Sequence, residues 1–215
     1  MDATHPLAVI TPTLDGDVLN HLALTQAAFT PGQLTRLLPK ASVEGVRKVL
    51  NRLAKQGIVT ATRVGNAAMM YELNREHLGA DAVIALANQA RTLRDRIATC
   101  LTAWEHPPVY AALFGSWSRG AATAESDVDL FLVRPDDADD DTWTGQVDSL
   151  QHLVARWTGN DARPFVIDEH DLPERGAEPV LRSIRSEGLT MYGDPRWLHR
   201  RIKPHVLTRR RAEAG

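Results

Sequence analysis

The sequence predicts a two-part chain of mixed α/β (α+β) class. A helix-rich N-terminal unit ending in a hairpin is followed by a long linker helix and a mixed sheet with flanking helices. Three observations carry this. Capped amphipathic helices give way to two strand-like runs before residue 75. An uninterrupted helical stripe then runs to about Trp104. Beyond Pro108, strand and helix patterns alternate, as in a covered sheet. At 215 residues the chain suits one large or two small domains, and its 43% hydrophobic and 24% charged content is ordinary for a folded protein.

The N-terminal pattern is set by caps. Thr30-Pro31-Gly32-Gln33 combines an N-cap threonine, a proline at the first helical position and a glutamine at N3, and Leu34, Leu37 and Leu38 supply the apolar face. Ser42 starts a second helix that runs to about Gln56. Val43, Val46, Val49, Leu50 and Leu53 recur at helical spacing, and Arg47, Lys48, Asn51, Arg52 and Lys55 take the opposite face. Gly57 ends this helix, and Ile58–Val64 and Ala67–Leu73 read as strands joined at Gly65-Asn66.

This order resembles the winged helix-turn-helix family over about residues 17–74. The resemblance implies a double-stranded DNA partner met by Ser42, Arg47, Lys48, Asn51 and Arg52, with Arg63 of the hairpin on the backbone. A solvated basic face or a protein-interaction module would present the same pattern.

From Glu76 to Trp104, Val83, Leu86, Ala90, Leu93, Ile97, Leu101 and Trp104 form one stripe. It reads either as a spacer packed on its own chain or as a homodimer contact. His106-Pro107-Pro108 ends it. The expected division is 1–75, 76–106, 107–198 and a basic tail at 199–215.

The chemistry concentrates in Gly115-Ser116-Trp117-Ser118-Arg119-Gly120 and Ser126-Asp127-Val128-Asp129-Leu130. A tight Gly-Ser turn follows one strand, and two carboxylates at i, i+2 project to the same side of the next. Hard oxygen ligands beside a phosphate-cradling turn suit Mg²⁺ with a nucleoside triphosphate. The run resembles the minimal nucleotidyltransferase family of the polymerase-beta-like superfamily over about residues 108–195, including Ile184–Gly188 and Met191–Gly193.

The resemblance implies transfer of a nucleoside monophosphate to a hydroxyl. Asp127 and Asp129 would be the catalytic metal ligands, and Gly115, Ser116, Arg119 and Ser126 would hold the nucleotide. It also implies a third carboxylate on a neighbouring strand. There the sequence offers Arg163, Phe165 or Val166, with Asp161 and Asp168 to either side. A regulator with a degenerate, nucleotide-sensing or partner-binding version of the domain is the alternative.

Other features narrow the class. A net charge of −2 gives no global pull toward nucleic acid or membrane, and no apolar run spans a bilayer. One cysteine, Cys100, excludes an intramolecular disulfide framework and suits a reducing, cytoplasmic setting. Asp136–Asp141 reads as a solvated loop or a metal site. The basic run at Arg200, Arg201, Lys203 and Arg209–Arg211 reads as a solubilising or nucleic-acid-contacting tail.

Overall fold

A computed structural model describes residues 1–65 and 68–202. The chain divides into two compact units, Met1–Arg94 with Ala122–Ala124, and Asp95–Ala121 with the rest of the C-terminal half.

In the first unit a 3-10 turn at Pro6–Val9 precedes α1 (Leu14–Leu24), α2 (Pro31–Leu37) and α3 (Val43–Lys55). The predicted capping box forms, with the Thr30 hydroxyl accepting from the Gln33 N–H while the Gln33 side chain accepts from the Thr30 N–H. Ser42 caps α3 by accepting from the Gly45 N–H at 3.0 Å. Val46, Val49, Leu50 and Leu53 are buried as their spacing requires. Val43 and Leu37, placed inward by the same periodicity, stand exposed, since each lies at a helix end where the stripe turns off the core.

The strands β1 (Val59–Val64) and β2 (Ala68–Leu73) pair antiparallel from Val59–Leu73 to Val64–Ala68. Asn66 and Ala67, expected in the turn and at the start of the second strand, lie outside the described residues. Phe29 adds a bridge to Tyr71, exchanging both backbone hydrogen bonds at 2.8 Å, which hydrophobic periodicity gave no means to anticipate. Leu22, Leu34, Leu50, Val59 and Tyr71 form one buried core with Leu7 and Ala80.

The expected single helix from Glu76 to Trp104 is two, α4 (Ala80–Ala87) and α5 (Gln89–Thr102). Asn88 separates them, its side-chain amide donating to the Ile84 carbonyl and so competing with the helical ladder. Leu93, Ile97 and Leu101 of the stripe are buried within the chain.

The second unit continues with β3 (Tyr110–Phe114), α6 (Gly115–Ser118), β4 (Val128–Arg134), α7 (Asp140–Thr158) and β5 (Ala162–Asp168). It closes with α8 (Leu172–Arg175), α9 (Pro179–Glu187), β6 (Leu189–Tyr192) and α10 (Trp197–Arg201). The sheet order is β5-β4-β3-β6, with β4 and β5 parallel and the other pairs antiparallel. The Met191-Tyr192 segment supplies the last edge of this sheet, too short a run to read as a strand from periodicity.

Alternation assigns the faces. Phe131 stands opposite Ala112 on β3 and Phe165 on β5, and the two phenylalanine rings lie 5.7 Å apart. Tyr110, Phe131, Val133 and Ile167 on this face pack with Leu172, Leu181, Ile184 and Leu198 from α8, α9 and α10. Asp129 and Arg163 belong to the same face by register, at the open end of that core.

α7 runs along β5, where the Gln151 amide donates to the Ala162 carbonyl at 3.1 Å. The residues expected in the basic tail from Lys203 onward lie outside the described residues.

Candidate nucleotide and metal site

The site is built where β3 ends and β4 begins. Antiparallel pairing sets Phe114 opposite Asp129, so the residue after Phe114 must pass directly over the Asp129 side chain. That residue is Gly115, with φ of +69°, and a Cβ there would overlap Asp129 Oδ2. Two independent demands, a left-handed backbone and a close approach to a carboxylate, thus make this position a glycine. The turn is closed by Ser118, whose hydroxyl donates to the Gly115 carbonyl at 3.0 Å, and by the Ala121 N–H on the Ser116 carbonyl at 2.9 Å. The Ser116 hydroxyl has no partner among the described residues.

Asp127 lies one residue before β4 and Asp129 within it. The loop that delivers them is pinned by Asn160, a buried residue whose amide donates to the Ser126 carbonyl at 2.8 Å and whose backbone N–H donates to the Thr158 hydroxyl. Sequence reasoning did not single out Asn160. A lone polar residue after a helix carries no signal until its burial is known.

Arg163 is the other residue that the sequence did not assign a role. It stands beside Asp129 in the β4–β5 register, and its Nε lies 3.0 Å from Asp127 Oδ2. The Arg163 side chain is 70% exposed and that of Asp127 30%. An ion pair this open to water is worth up to ~1 kcal/mol, weak enough to exchange for another partner.

Burial first, and the Asp127 charge second, push the Asp129 carboxyl above its ordinary pKa, while Arg163 and Arg119 act in the opposite direction. Arg119 pairs with Glu187 at the end of α9, at 3.0 Å and half-exposed.

Among the described residues no third carboxylate joins Asp127 and Asp129 with ligand atoms within 4.8 Å of one another. Asp168 pairs with Arg134 in the register, five positions beyond Arg163 and on the opposite face. At the usual strand rise that is about 16 Å away. Asp161 precedes β5, and its carbonyl accepts from the Val128 N–H. Among the described residues the one cluster of three or more His, Cys, Asp or Glu with ligand atoms within 4.8 Å of each other is Asp168, His170 and Asp171.

That cluster lies at the other end of the parallel pair. His170 Nδ1 is 2.7 Å from Asp136 Oδ1, and this hydrogen bond raises the imidazole pKa. The oxygen-only pair of Asp127 and Asp129, mutually repelling and partly desolvated, fits a hard divalent cation better.

The expected DNA-facing residues are gathered on α3 and β1. Arg47, Lys48, Asn51, Arg52 and Arg63 are exposed. Three are engaged within the chain: Arg47 with Glu44 at 2.9 Å, Arg52 with Asp15, and Asn51 as acceptor from the Tyr71 hydroxyl at 2.9 Å. The Ser42 hydroxyl serves the α3 cap. A cavity of about 560 Å³ in the first unit, lined by Asp17, Asn20 and His21 of α1 and by the α2–α3 turn, includes none of these residues. Among the described residues no helix is long and apolar enough to cross a membrane.

Residues 97–171, which contain the Gly-Ser turn and both carboxylates, match the family model described as a nucleotidyltransferase domain. No curated protein matches the chain. Among solved structures, one of a toxin–antitoxin with AMP-PNP is similar at 22% identity, covering 51% of this chain and 80% of that one, with a TM-score of 0.37. Another, a tri-AMPylated Shewanella oneidensis HEPN toxin in complex with MNT antitoxin, is similar at 20% identity, 49% and 73% coverage and a TM-score of 0.32.

The electrostatics carry a stability consequence. Because the folded pKa of Asp129 is raised, its contribution to stability is fully present below the unfolded value of about 3.9 and is lost as pH rises through the folded value. At pH 7 the ionised Asp129 therefore opposes folding. Asp129→Asn should raise the urea midpoint at pH 7 and flatten its dependence above pH ~4. A lower midpoint at pH 7 would contradict this electrostatic account.

Proposed function

We propose that the chain is a Mg²⁺-dependent nucleotidyltransferase, moving a nucleoside monophosphate from a nucleoside triphosphate to an acceptor oxygen. The observation that carries this reading is the convergence of Asp127 and Asp129 on one sheet face beside the Gly115 turn. The family match of residues 97–171 supports nucleotidyl transfer as the reaction class.

In this reading Asp127 and Asp129 hold the cation, which when bound supplies charge neutralisation for the triphosphate and the departing pyrophosphate. The unpartnered Ser116 hydroxyl and the α6 backbone bind phosphate oxygens. Arg119 exchanges its exposed Glu187 partner for a phosphate. Gly115 keeps Asp129 in place, and Asn160 does the same for the Ser126–Asp127 loop.

A second reading is favoured by Arg163, which pairs with Asp127 where a catalytic base would be expected. The domain would then bind a nucleotide without turnover, and the protein would act as a nucleotide-responsive regulator. In both readings we infer that the first unit is a winged helix-turn-helix that contacts duplex DNA. The order of α1, α2, α3 and the β1–β2 hairpin supports this, as does the exposed basic face of α3. The internal partners of Arg47, Asn51 and Arg52 make Lys48, exposed and without an ion pair or hydrogen bond among the described residues, the more available phosphate contact.

Incubation with each α-³²P nucleoside triphosphate and Mg²⁺ should yield transfer of label, and Asp127→Ala should lower it by at least about 100-fold, more than the loss typical of outer-sphere changes. Nucleotide binding without transfer by the unmutated protein would leave the regulator reading in possession. For the first unit, duplex binding should weaken with salt, and Lys48→Ala should reduce the slope of log K against log salt by about one. An unchanged slope would remove Lys48 from the interface.

A further inference from the structure

We infer that Arg163 is the acceptor-binding residue of this site, and that the acceptor oxygen it selects is one already ionised at neutral pH, a phosphate or a carboxylate. This rests on the nucleotidyltransferase reading above and names the substrate class that reading leaves open.

A hydroxyl must lose its proton as it attacks, and a positioned base typically contributes 10²–10⁴-fold to such a step. Among the described residues no third carboxylate or histidine joins Asp127 and Asp129 within 4.8 Å, and the neighbouring strand presents Arg163 at their level. A guanidinium does not accept a proton near neutral pH. It cannot serve as that base, and it supplies what an oxyanion acceptor needs most, an offset to repulsion by two carboxylates and a triphosphate.

The geometry of Arg163 suits that task. Nε lies 3.0 Å from Asp127 Oδ2, and no hydrogen bond ties the guanidinium to another of the described residues. The side chain is largely exposed, so an arriving ligand can reach it. A planar fork matches the two oxygens of a carboxylate or phosphate. Since the ion pair with Asp127 is weak, Asp127 can turn to the cation while Arg163 turns to the acceptor.

The reaction then balances without a base. An anionic acceptor oxygen forms a bond to the α-phosphorus. The bond from that phosphorus to the oxygen bridging the β-phosphate breaks, and pyrophosphate leaves with the electron pair. No proton is transferred.

The test offers the unmutated protein, with Mg²⁺ and each α-³²P nucleoside triphosphate, four acceptors: inorganic phosphate, radiolabelled acetate, a serine peptide and a tyrosine peptide. Phosphate should yield labelled nucleoside diphosphate, or acetate should yield a mixed anhydride trapped by hydroxylamine as hydroxamate; whichever forms identifies the anion. Arg163→Gln should lower that product by about tenfold or more, the size of one charge-assisted contact.

Equilibrium dialysis should show weaker binding of the same anion by Arg163→Gln, with affinity for Mg²⁺ and a non-hydrolysable triphosphate retained. Asp161→Asn should leave transfer unchanged. Label on either peptide hydroxyl overturns the inference while the enzyme reading stands. So does transfer unaffected by Arg163→Gln, or retained nucleotide binding with no product from either anion. Absence of nucleotide binding altogether overturns the underlying reading as well.

Discussion

Two carboxylates, Asp127 just before β4 and Asp129 within it, repel each other at the open end of an apolar core, and the surrounding structure is organised around that repulsion. Asp129 is raised in pKa because the core formed by Phe131, Phe165 and the helices after β5 reaches its side of the sheet. The β3–β4 register brings the chain over its carboxylate, so only Gly115 fits, and Asn160 anchors the loop that carries Asp127. Arg163 supplies the nearest compensating charge. Remove the paired carboxylates, and neither the left-handed turn nor the arginine has an evident purpose in the sheet.

This arrangement sets stability against function at the same atoms. Ionisation of Asp129, partly buried and beside Asp127, opposes folding at neutral pH, and in the proposed reading the same carboxylate helps to hold a hard cation. The partial neutralisation by Arg163 is weak enough to be exchanged. The site therefore holds its charges in an order that a ligand can replace, rather than in a tight ion-pair network that a ligand would have to break.

Much of this was legible in the residues. The capping box at Thr30–Gln33, the cap at Ser42 and the glycine at 57 marked helix ends because caps act over three or four residues. Asp129 and Phe131 share a face because strand geometry is local, whereas Asp127, expected there too, lies one residue before the strand.

What was not legible depends on long-range pairing. Arg163 lies beside Asp129 through a parallel register closed by a 19-residue helix. Arg119 finds Glu187 across 68 residues. The interruption at Asn88 turned on one side-chain hydrogen bond that periodicity does not see. The same limit explains Asp168, a carboxylate on the expected strand whose register puts it at the wrong end.

The most direct measurement of the central claim is binding of Mn²⁺, standing in for Mg²⁺, followed by electron paramagnetic resonance with and without a non-hydrolysable nucleoside triphosphate. Nucleotide-dependent uptake of Mn²⁺ is expected, removed by Asp127→Asn and left intact by Asp171→Asn. Uptake that ignores Asp127 and disappears with Asp171, or none with any nucleotide, would contradict it.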